Sequence, residues 1–307
     1  MKQAGISRRF VTRGVFWRQL LHWAVNNIPL YLQPMMAFTW SLIFFLAATR
    51  ERRASIHNLG AIISGSSSFA NFFRSFFVFW DFASTITDTA RFKAHGEMVD
   101  WEFEGIRHFD VLKDAAQGAI ILTAHMGNYD LGAYLFVERI KRPMTVIRAP
   151  EIDPATQKWE QENRRQVASD DFRIDFNTES GMLALDLIAA LKEHKIVAIQ
   201  GDRVTPGIST FRSTLFGRPI LLPSGPFALA MATKTAIHPL FVLRTGWMQY
   251  RVVTTEPFQC ERTGRDRDRD LGHAIERWRS VLESVIAKHW SKWHLFDRFD
   301  EAEARES

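Results

Sequence analysis

The sequence predicts an α/β fold, in which helices flank a mostly parallel central sheet and an amphiphilic helical segment at the N-terminus attaches the chain to a membrane. From about Val99 onward, short β-rich runs alternate with helical ones, as in mostly parallel sheets covered by helices. The aromatic residues, 25 Phe and 10 Trp against 4 Tyr, lie in large part in the first third of the chain. The 307 residues, 46% of them hydrophobic, supply the core of one large or two small domains.

The expected elements follow this alternation along the chain. Strands are predicted at residues 99–103, 119–124, 144–148, 172–176, 196–200, 237–243 and 250–254. Helices are predicted at residues 129–139, 153–168, 182–193, 226–233 and 271–288. The last helix carries one apolar stripe from Leu271 to Ile286. Residues 262–270 alternate Arg and Asp, and we interpret them as a solvated linker.

The front of the chain is apolar and is flanked by positive charge. No charged residue occurs from Trp23 to Thr49, whereas basic residues both precede this stretch and follow it at positions 50–53. Its uninterrupted apolar part, residues 35–48, is shorter than the roughly 20 residues that span a bilayer. We therefore expect residues 1–60 to form a membrane-associated helical segment on the cytoplasmic membrane surface, and residues 61–307 to form the α/β domain.

Composition and charge narrow the functional classes. The single cysteine, Cys260, forms no intrachain disulfide and supports no cysteine-based metal cluster, which is typical of a reducing compartment. The net charge of +5 and the pI near 9.5 suit an anionic partner, whether nucleic acid, anionic lipid or an acidic carrier protein. The aromatic distribution favours lipid. The histidines lack metal-ligand spacing and no Lys/Arg-rich helical stripe is present, so neither a metal site nor nucleic acid binding is expected.

Residues 69–82 form a second aromatic block. Several of its aromatic residues recur at helical spacing, which fits a core helix. The same aromatic excess suits a pocket for a fatty chain or docking at a membrane interface, and these interpretations stay open. Because neighbouring helical positions point about 100° apart, at least one of Phe76 and Phe77 should face inward. Both are candidates for an acyl-chain pocket.

The sharpest local motif is Thr123-Ala124-His125-Met126-Gly127-Asn128-Tyr129-Asp130, at a predicted junction of strand and helix. Gly127 permits a tight turn, Asn128 can cap the helix, and Asp130 lies in the first turn, where the helix dipole favours a carboxylate. If the loop folds His125 over that turn, Asp130 accepts a hydrogen bond from one ring nitrogen and leaves the other as a general base. The alternative is a buried histidine beside an ordinary N-terminal carboxylate.

Polar side chains follow three of the predicted strands. They are His125, Arg148 and the turn Gly201-Asp202-Arg203. In open α/β sheets, ligands bind outside the carboxyl ends of the strands, so we expect these groups to converge on one site. The alternative for Asp202 and Arg203 is an ion pair within their own turn.

These motifs, taken in order, resemble those of the bacterial lipid A biosynthesis acyltransferases, within the glycerolipid acyltransferases that share an H-x4-D/E motif. The resemblance extends over nearly the whole chain. It is carried by His125 to Asp130, Arg148-Ala149-Pro150, Gly201-Asp202-Arg203, Leu215-Phe216-Gly217-Arg218-Pro219, Pro223-Ser224-Gly225-Pro226-Phe227, and the tail from His289-Trp290 to Phe296-Asp297.

The resemblance implies transfer of a fatty acyl group to a hydroxyl of a membrane lipid at the cytoplasmic face of the inner membrane. The donor would be an acyl carrier protein thioester, or acyl-CoA, and no other cofactor is implied. His125 would take the acceptor's proton, Asp130 would orient its ring, and backbone N–H groups or Arg148 would stabilise the oxyanion. The residues that would bind substrate are Asn128, Arg148, Asp202, Arg203, Phe216 and Gly217.

Two departures from the family pattern leave the acceptor open. The acid of the motif is Asp130, where lipid A enzymes often have Glu, and Gln200-Gly201-Asp202-Arg203 replaces a longer Asp-rich segment. Alternative acceptors are a lysophospholipid, another glycolipid or a lipid-linked polymer precursor. A non-catalytic lipid-binding protein on the same scaffold is a further alternative, and a basic nucleic-acid binder is a third.

Overall fold

The computed structural model describes residues 15–96, 98–148, 172–176, 182–205 and 207–301. The described part opens with four helices: α1 (Val15–Asn27), α2 (Gln33–Ala47), α3 (Thr49–Ile62) and α4 (Ser68–His95). A 3-10 turn, Leu30–Leu32, joins the first two. Ser67 caps α4 by accepting a hydrogen bond from the Ala70 N–H, and Gly96 ends it in the left-handed conformation.

The α/β part follows these helices. Its strands are β1 (Asp100–Glu104), β2 (Ala119–Thr123), β3 (Met144–Arg148), β4 (Phe172–Phe176), β5 (Ile196–Gln200), β6 (Thr210–Leu215), β7 (Arg218–Pro223), β8 (Ile237–Gly246) and β9 (Gln249–Thr254). Its helices are α5 (Ile106–Asp114), α6 (Tyr129–Ile140), α7 (Met182–Lys192), α8 (Gly225–Thr233) and α9 (Arg267–Lys288).

Seven strands form one sheet in the order β1-β9-β8-β2-β5-β3-β4. Every neighbouring pair is parallel except β8 and β9, which form an antiparallel hairpin. β6 and β7 form a separate two-stranded hairpin. The predicted fold class, a mostly parallel sheet flanked by helices with an apolar helix at the N-terminus, is confirmed.

The two faces of the sheet bury different cores. On one face Phe241 and Leu243 of β8 belong to a core that includes Trp278 of α9. Leu240 and Val242, the alternate residues of the same strand, pack with Phe109, Leu131 and Phe136 on the other face. This alternation follows from the pleat of a strand whose two faces are both buried.

Most predicted elements that fall on described residues are confirmed, and the structure differs from the prediction in two respects. The hairpin β6–β7 and helix α5 were not predicted, because both are short and lack long apolar runs. The alternating Arg and Asp segment is a linker only at its start, since Asp266 caps α9 and residues 267–270 form its first turn. The predicted helix at 153–168 lies outside the described residues.

The N-terminal helices form an aromatic layer against α4. Phe45 of α2 makes edge-to-face contacts with Phe72, Phe76 and Phe79 of α4. The side chain of Gln33 donates to Val25 O and Ile28 O at 3.0 and 2.8 Å and accepts from Arg91. These contacts fix the turn between α1 and α2 to α4.

The apolar helical stretch is longer than the sequence indicated. Leu30–Ala47 comprises 18 residues with a mean hydropathy of 1.5, long and apolar enough to cross a membrane by length and composition. Within this stretch, α2 itself begins at Gln33. Pro34 is tolerated in its first turn, because a missing N–H there costs no hydrogen bond. Length and composition do not distinguish a membrane span from a helix lying on a membrane surface, so the expected surface attachment stays a prediction.

Candidate active site

The loop after β2 is a tight junction between strand and helix. Gly127 has φ 57°, and a Cβ at this position would collide with the carbonyl oxygen of Val242, so glycine is required here. The Asn128 side chain accepts the Leu131 N–H at 3.0 Å and thereby caps α6. The predicted turn and cap are both confirmed.

Three strand ends meet at this loop. β2 pairs with β5 so that Thr123 lies opposite Gln200, and β3 pairs with β5 on its other side. Parallel strands place their carboxyl ends on one edge of the sheet, so the residues that follow them gather there. The predicted convergence of the segments bearing His125, Arg148 and Asp202 is observed.

The imidazole of His125 is bound by Asp202. Its Nδ1 lies 2.8 Å from Asp202 Oδ1, and its backbone N–H donates to the same oxygen at 3.1 Å. A carboxylate only accepts, so Nδ1 carries the proton and Nε2 carries the lone pair. Within the described part of the chain, Nε2 has no hydrogen-bond partner, and 27% of the side chain is accessible. The ring therefore presents its basic nitrogen outward.

The other oxygen of Asp202 is bound by the C-terminal segment, the stretch that follows α9 and includes residues 292–294. Trp293 Nε1 donates to Oδ2 at 2.9 Å, and both residues are buried. The backbone of that segment pairs with the His125 loop, since Gly127 N donates to Lys292 O and His294 N donates to His125 O, each at 2.9 Å. The carboxylate and the loop are thus fixed by the same stretch of chain.

Asp130 does not contact His125, contrary to our expectation. Its carboxylate forms an ion pair with Arg148, whose guanidinium also lies 5.3 Å from the ring centre of Tyr129. The tight turn at Gly127 places Asp130 in the first turn of α6 beside the end of β3, where Arg148 reaches it. The position of Asp130 in the first helical turn and in the H-x4-D/E motif suggested it as the partner of His125, whereas Asp202 is the carboxylate that pairing of β2 with β5 brings to the ring.

Burial and charge set the protonation states of this group. Burial lowers the pKa of His125 below its ordinary value, and the nearby Arg203 guanidinium lowers it further. Burial by itself would raise the pKa of Asp202, but its hydrogen bonds from His125 and Trp293 and the charge of Arg203 outweigh burial and lower that pKa. The pair is therefore a neutral imidazole beside an ionised carboxylate near pH 7.

Three of the predicted substrate-binding residues have other contacts. The Asn128 amide is buried and donates to Thr85 O, Thr89 Oγ1 and Tyr250 Oη. Phe216 and Gly217 form the turn of the β6–β7 hairpin, with φ 51° and 71°. The hydrogen bonds around His125 do not include either of them. The structure gives Asn128 a structural role in joining α4 to α6.

The aromatic candidates for a fatty-chain pocket, Phe76 and Phe77, lie on α4 in the helical layer that α4 forms with the N-terminal helices. Phe76 packs between Phe38 and Phe45 of α2, whereas Phe77 is 47% exposed. A narrow apolar cleft lies elsewhere, between α6 and the sheet, next to Tyr129 and Arg148. Its other lining residues include Ile121, Ala133, Phe136, Met144 and Leu240.

Over residues 62–299, the chain matches the family of bacterial lipid A biosynthesis acyltransferases. It belongs to that family. The match covers the sheet, the His125 loop and the C-terminal segment that contacts it. No curated protein was found that matches this chain. The acyltransferase therefore acts on a lipid acceptor, in agreement with the motifs in its sequence.

The acyltransferase site contains residues that the sequence did not indicate. Trp293 and His294 join it from the end of the chain, and Asp81 joins it from α4, where it lies 3.0 Å from His294 Nε2 and 2.5 Å from Lys292 Nζ. No spacing pattern connects these positions, and the only sequence signal was the resemblance of the tail from His289-Trp290 to Phe296-Asp297 to the family's closing segment. Among the described residues, no group of three or more His, Cys, Asp or Glu side chains is placed to hold a metal ion.

Proposed function

We propose that this acyltransferase moves a fatty acyl group from an acyl carrier protein thioester to a hydroxyl of a lipid A-like membrane glycolipid, with His125 as general base. The observation that carries the proposal is the hydrogen bond from His125 Nδ1 to Asp202, which leaves Nε2 free at the carboxyl edge of the sheet. A positioned base of lowered pKa is suited to take a proton from an alcohol near neutral pH.

His125 and Asp202 suffice for the proton transfers of the reaction. As the acceptor hydroxyl attacks the thioester carbonyl carbon, His125 Nε2 takes its proton and a C–O bond forms. The tetrahedral oxyanion then collapses, the C–S bond breaks, and the imidazolium returns the proton to the departing thiolate. Asp202 stabilises the imidazolium between these two steps and holds the ring in one tautomer.

The start of α6 is the candidate for oxyanion stabilisation. The N–H groups of Met126, Gly127 and Asn128 are bonded to carbonyl oxygens of Ala124, Lys292 and Val242. Those of Tyr129 and Asp130 make no hydrogen bond to the described residues and open the helix beside His125. A helix N-terminus with free N–H groups favours negative charge. We expect these two groups, rather than the loop N–H groups, to meet the oxyanion.

Arg148 and Arg203 are the candidates for binding phosphate groups of donor or acceptor. Arg148 lies against Tyr129, whose ring centre is 6.1 Å from that of His125, so an anion on its guanidinium would lie beside the reacting hydroxyl. Asp130 holds this guanidinium in place. Arg203 follows Asp202 directly and donates to His294 O, which places its charge next to the imidazole.

We further propose that the chain attaches to the cytoplasmic face of the inner membrane, and the exposed apolar surface of helices α1, α2 and α4 supports contact with a membrane. Helices α1, α2 and α4 expose large apolar side chains, among them Phe16, Trp23, Met35, Phe38, Leu42, Ile43, Leu46, Phe69, Phe73, Phe77 and Trp80. Together they form a larger exposed apolar patch than the surface of a soluble monomeric protein usually has. The inner face of α2 packs on α4, whose buried face holds Asp81, Asp88 and Arg91. A helix tied to such a neighbour fits a shallow attachment better than a span.

The proposal is tested with the purified chain in detergent or vesicles. Acyl carrier protein thioesters and acyl-CoA are compared as donors, and a lipid A precursor, a lysophospholipid and an unrelated glycolipid are compared as acceptors. We expect turnover with the carrier protein donor and the lipid A precursor, and none with His125→Ala. Turnover only with a lysophospholipid would overturn the acceptor, and binding of lipid with no transfer to any acceptor would overturn the activity.

A further inference from the structure

We propose that Trp293 is a positioning residue for acyl transfer, acting through Asp202 on the general base. The inference rests on the proposed function and extends it to a residue at the end of the chain. The indole N–H donates to Asp202 Oδ2 at 2.9 Å, while Oδ1 serves both donors of His125. Two oxygens held from opposite sides fix the plane of the carboxylate, and the plane fixes the direction in which the imidazole points.

The environment makes this hydrogen bond the main restraint on Oδ2. Asp202 and Trp293 are buried, so water does not replace a missing donor. The nearest cationic nitrogen, Arg203 Nε, is 3.9 Å from Oδ2, beyond hydrogen-bonding distance. Without the indole N–H, the carboxylate would keep its charge but lose one of its two anchors.

Trp293 is itself held rigidly on both sides. Met126 and Trp293 form an antiparallel bridge between the His125 loop and the C-terminal segment. Its neighbours Lys292 and His294 both bind Asp81 of α4, and the indole ring packs at 5.9 Å from Phe299. Because these contacts already fix the indole, its N–H holds Asp202 in one orientation with little further loss of conformational entropy.

The test compares two substitutions that separate the donor from the ring. Trp293→Phe keeps a large apolar ring and removes the N–H, whereas Trp293→His keeps an N–H donor on a smaller ring. We expect Trp293→Phe to lower kcat about tenfold or more with KM little changed, because a hydrogen bond to a buried charge is lost. We expect Trp293→His to retain more activity than Trp293→Phe. The opposite order would show that only packing matters and would overturn the proposal.

Trp290→Phe is the matched control, since Trp290 lies on the same segment but outside the hydrogen bonds to Asp202. It should leave kcat unchanged. The double variant Asp202→Asn/Trp293→Phe should lose less than about twofold beyond Asp202→Asn alone, because Trp293 acts through the carboxylate. A normal Asp202→Asn enzyme would defeat the proposed base pair itself. An impaired Asp202→Asn enzyme with a normal Trp293→Phe enzyme would defeat only the role of Trp293.

If Trp293→Phe does not fold, the wild-type indole provides the test. The Trp293 N–H proton should resonate downfield in the wild type, as for a hydrogen bond to a carboxylate, and move upfield in Asp202→Asn. An indole resonance that is the same in both chains would overturn the proposal.

Discussion

The Nδ1 atom of His125 lies 2.8 Å from the Oδ1 atom of Asp202, although 77 residues separate the two in the chain. The pairing of β2 with β5 brings them together, since each residue comes just after the end of its strand. Asp130, five residues from His125, is turned toward Arg148 instead. The carboxylate nearest in sequence and the carboxylate that contacts the ring are therefore different residues, and their substitutions should have different effects.

His125→Ala should lower kcat for acyl transfer by roughly 10²–10⁴-fold, because a positioned general base contributes that much. The melting temperature should stay close to that of the wild type, since 27% of the side chain is accessible and the backbone N–H at position 125 still donates to Asp202 Oδ1. Steady-state transfer and thermal unfolding of the same preparation measure both. Near-normal turnover would contradict the role of His125.

Asp202→Asn and Asp130→Asn should impair the enzyme in different ways. The first removes the charge that stabilises the imidazolium, so kcat should fall with KM little changed. The second releases Arg148, so KM for the phosphate-bearing substrate should rise more than kcat falls. Asp130→Glu, which keeps the carboxylate, should recover part of the loss. A larger fall in kcat for Asp130→Asn than for Asp202→Asn would restore Asp130 as the partner of His125.

The rate of transfer should depend on pH through His125. Only the neutral imidazole accepts a proton, and burial with the charge of Arg203 lowers its pKa below the ordinary value of 6.5. Activity should therefore persist below pH 6.5 and be lost as pH falls through the lowered pKa. Arg203→Gln removes the second cause, so its acid limb should move to higher pH. Arg265→Gln, at an exposed position, is the control and should leave the profile unchanged.

Chain-length preference distinguishes two places for the acyl chain. If the helical layer holds the chain, Phe76→Ala or Phe77→Ala should shift the preferred donor to longer chains. If the cleft beneath α6 holds it, Phe136→Ala should do so, since Phe136 lines that cleft. Each accommodated methylene is worth about 0.8 kcal/mol, which is visible as a change in the preferred donor. A substitution that lowers only the melting temperature marks its residue as core packing.

Stability should fall in mild acid because of a second buried histidine. Burial, together with the charge of Arg142, lowers the pKa of His238 to about 4 from 6.5. Between these values the unfolded chain binds a proton that the folded chain does not, so the free energy of unfolding decreases as pH falls from 6.5 to 4. His238 accounts for at most about 3 kcal/mol of this decrease. Below pH 4 its contribution should level off.

Denaturant unfolding at several pH values checks this effect. His238→Leu should flatten the dependence between pH 6.5 and 4, because it removes the titrating group. His273→Gln, at an exposed position on α9, should leave the slope unchanged. An unchanged slope in His238→Leu would assign the acid sensitivity to other groups.

The sequence by itself determined the elements and the local geometry of the loop. Strands β3, β4 and β5 were predicted to the residue, because short β-rich runs with clear ends mark them: β5 is largely apolar, whereas β4, at the edge of the sheet, alternates apolar and charged residues. The turn at Gly127 and the cap by Asn128 could also be predicted from the sequence, since both depend on residues within a few positions of one another. The family was evident from motifs in order along the chain, and the match over residues 62–299 agrees.

Only the tertiary structure decided which groups meet. Asp202 reaches His125 through strand pairing, and Trp293 reaches Asp202 because the tail returns to the loop after α9. Neither contact has a spacing pattern, since contacts between distant segments depend on how sheet and helices stack. Pro34 interrupts the apolar run in the sequence, yet the structure places it in the first turn of α2, where a proline is tolerated. Local sequence patterns therefore predict the helices, strands and turns of this enzyme, whereas packing between distant segments decides that Asp202 is the carboxylate that binds His125.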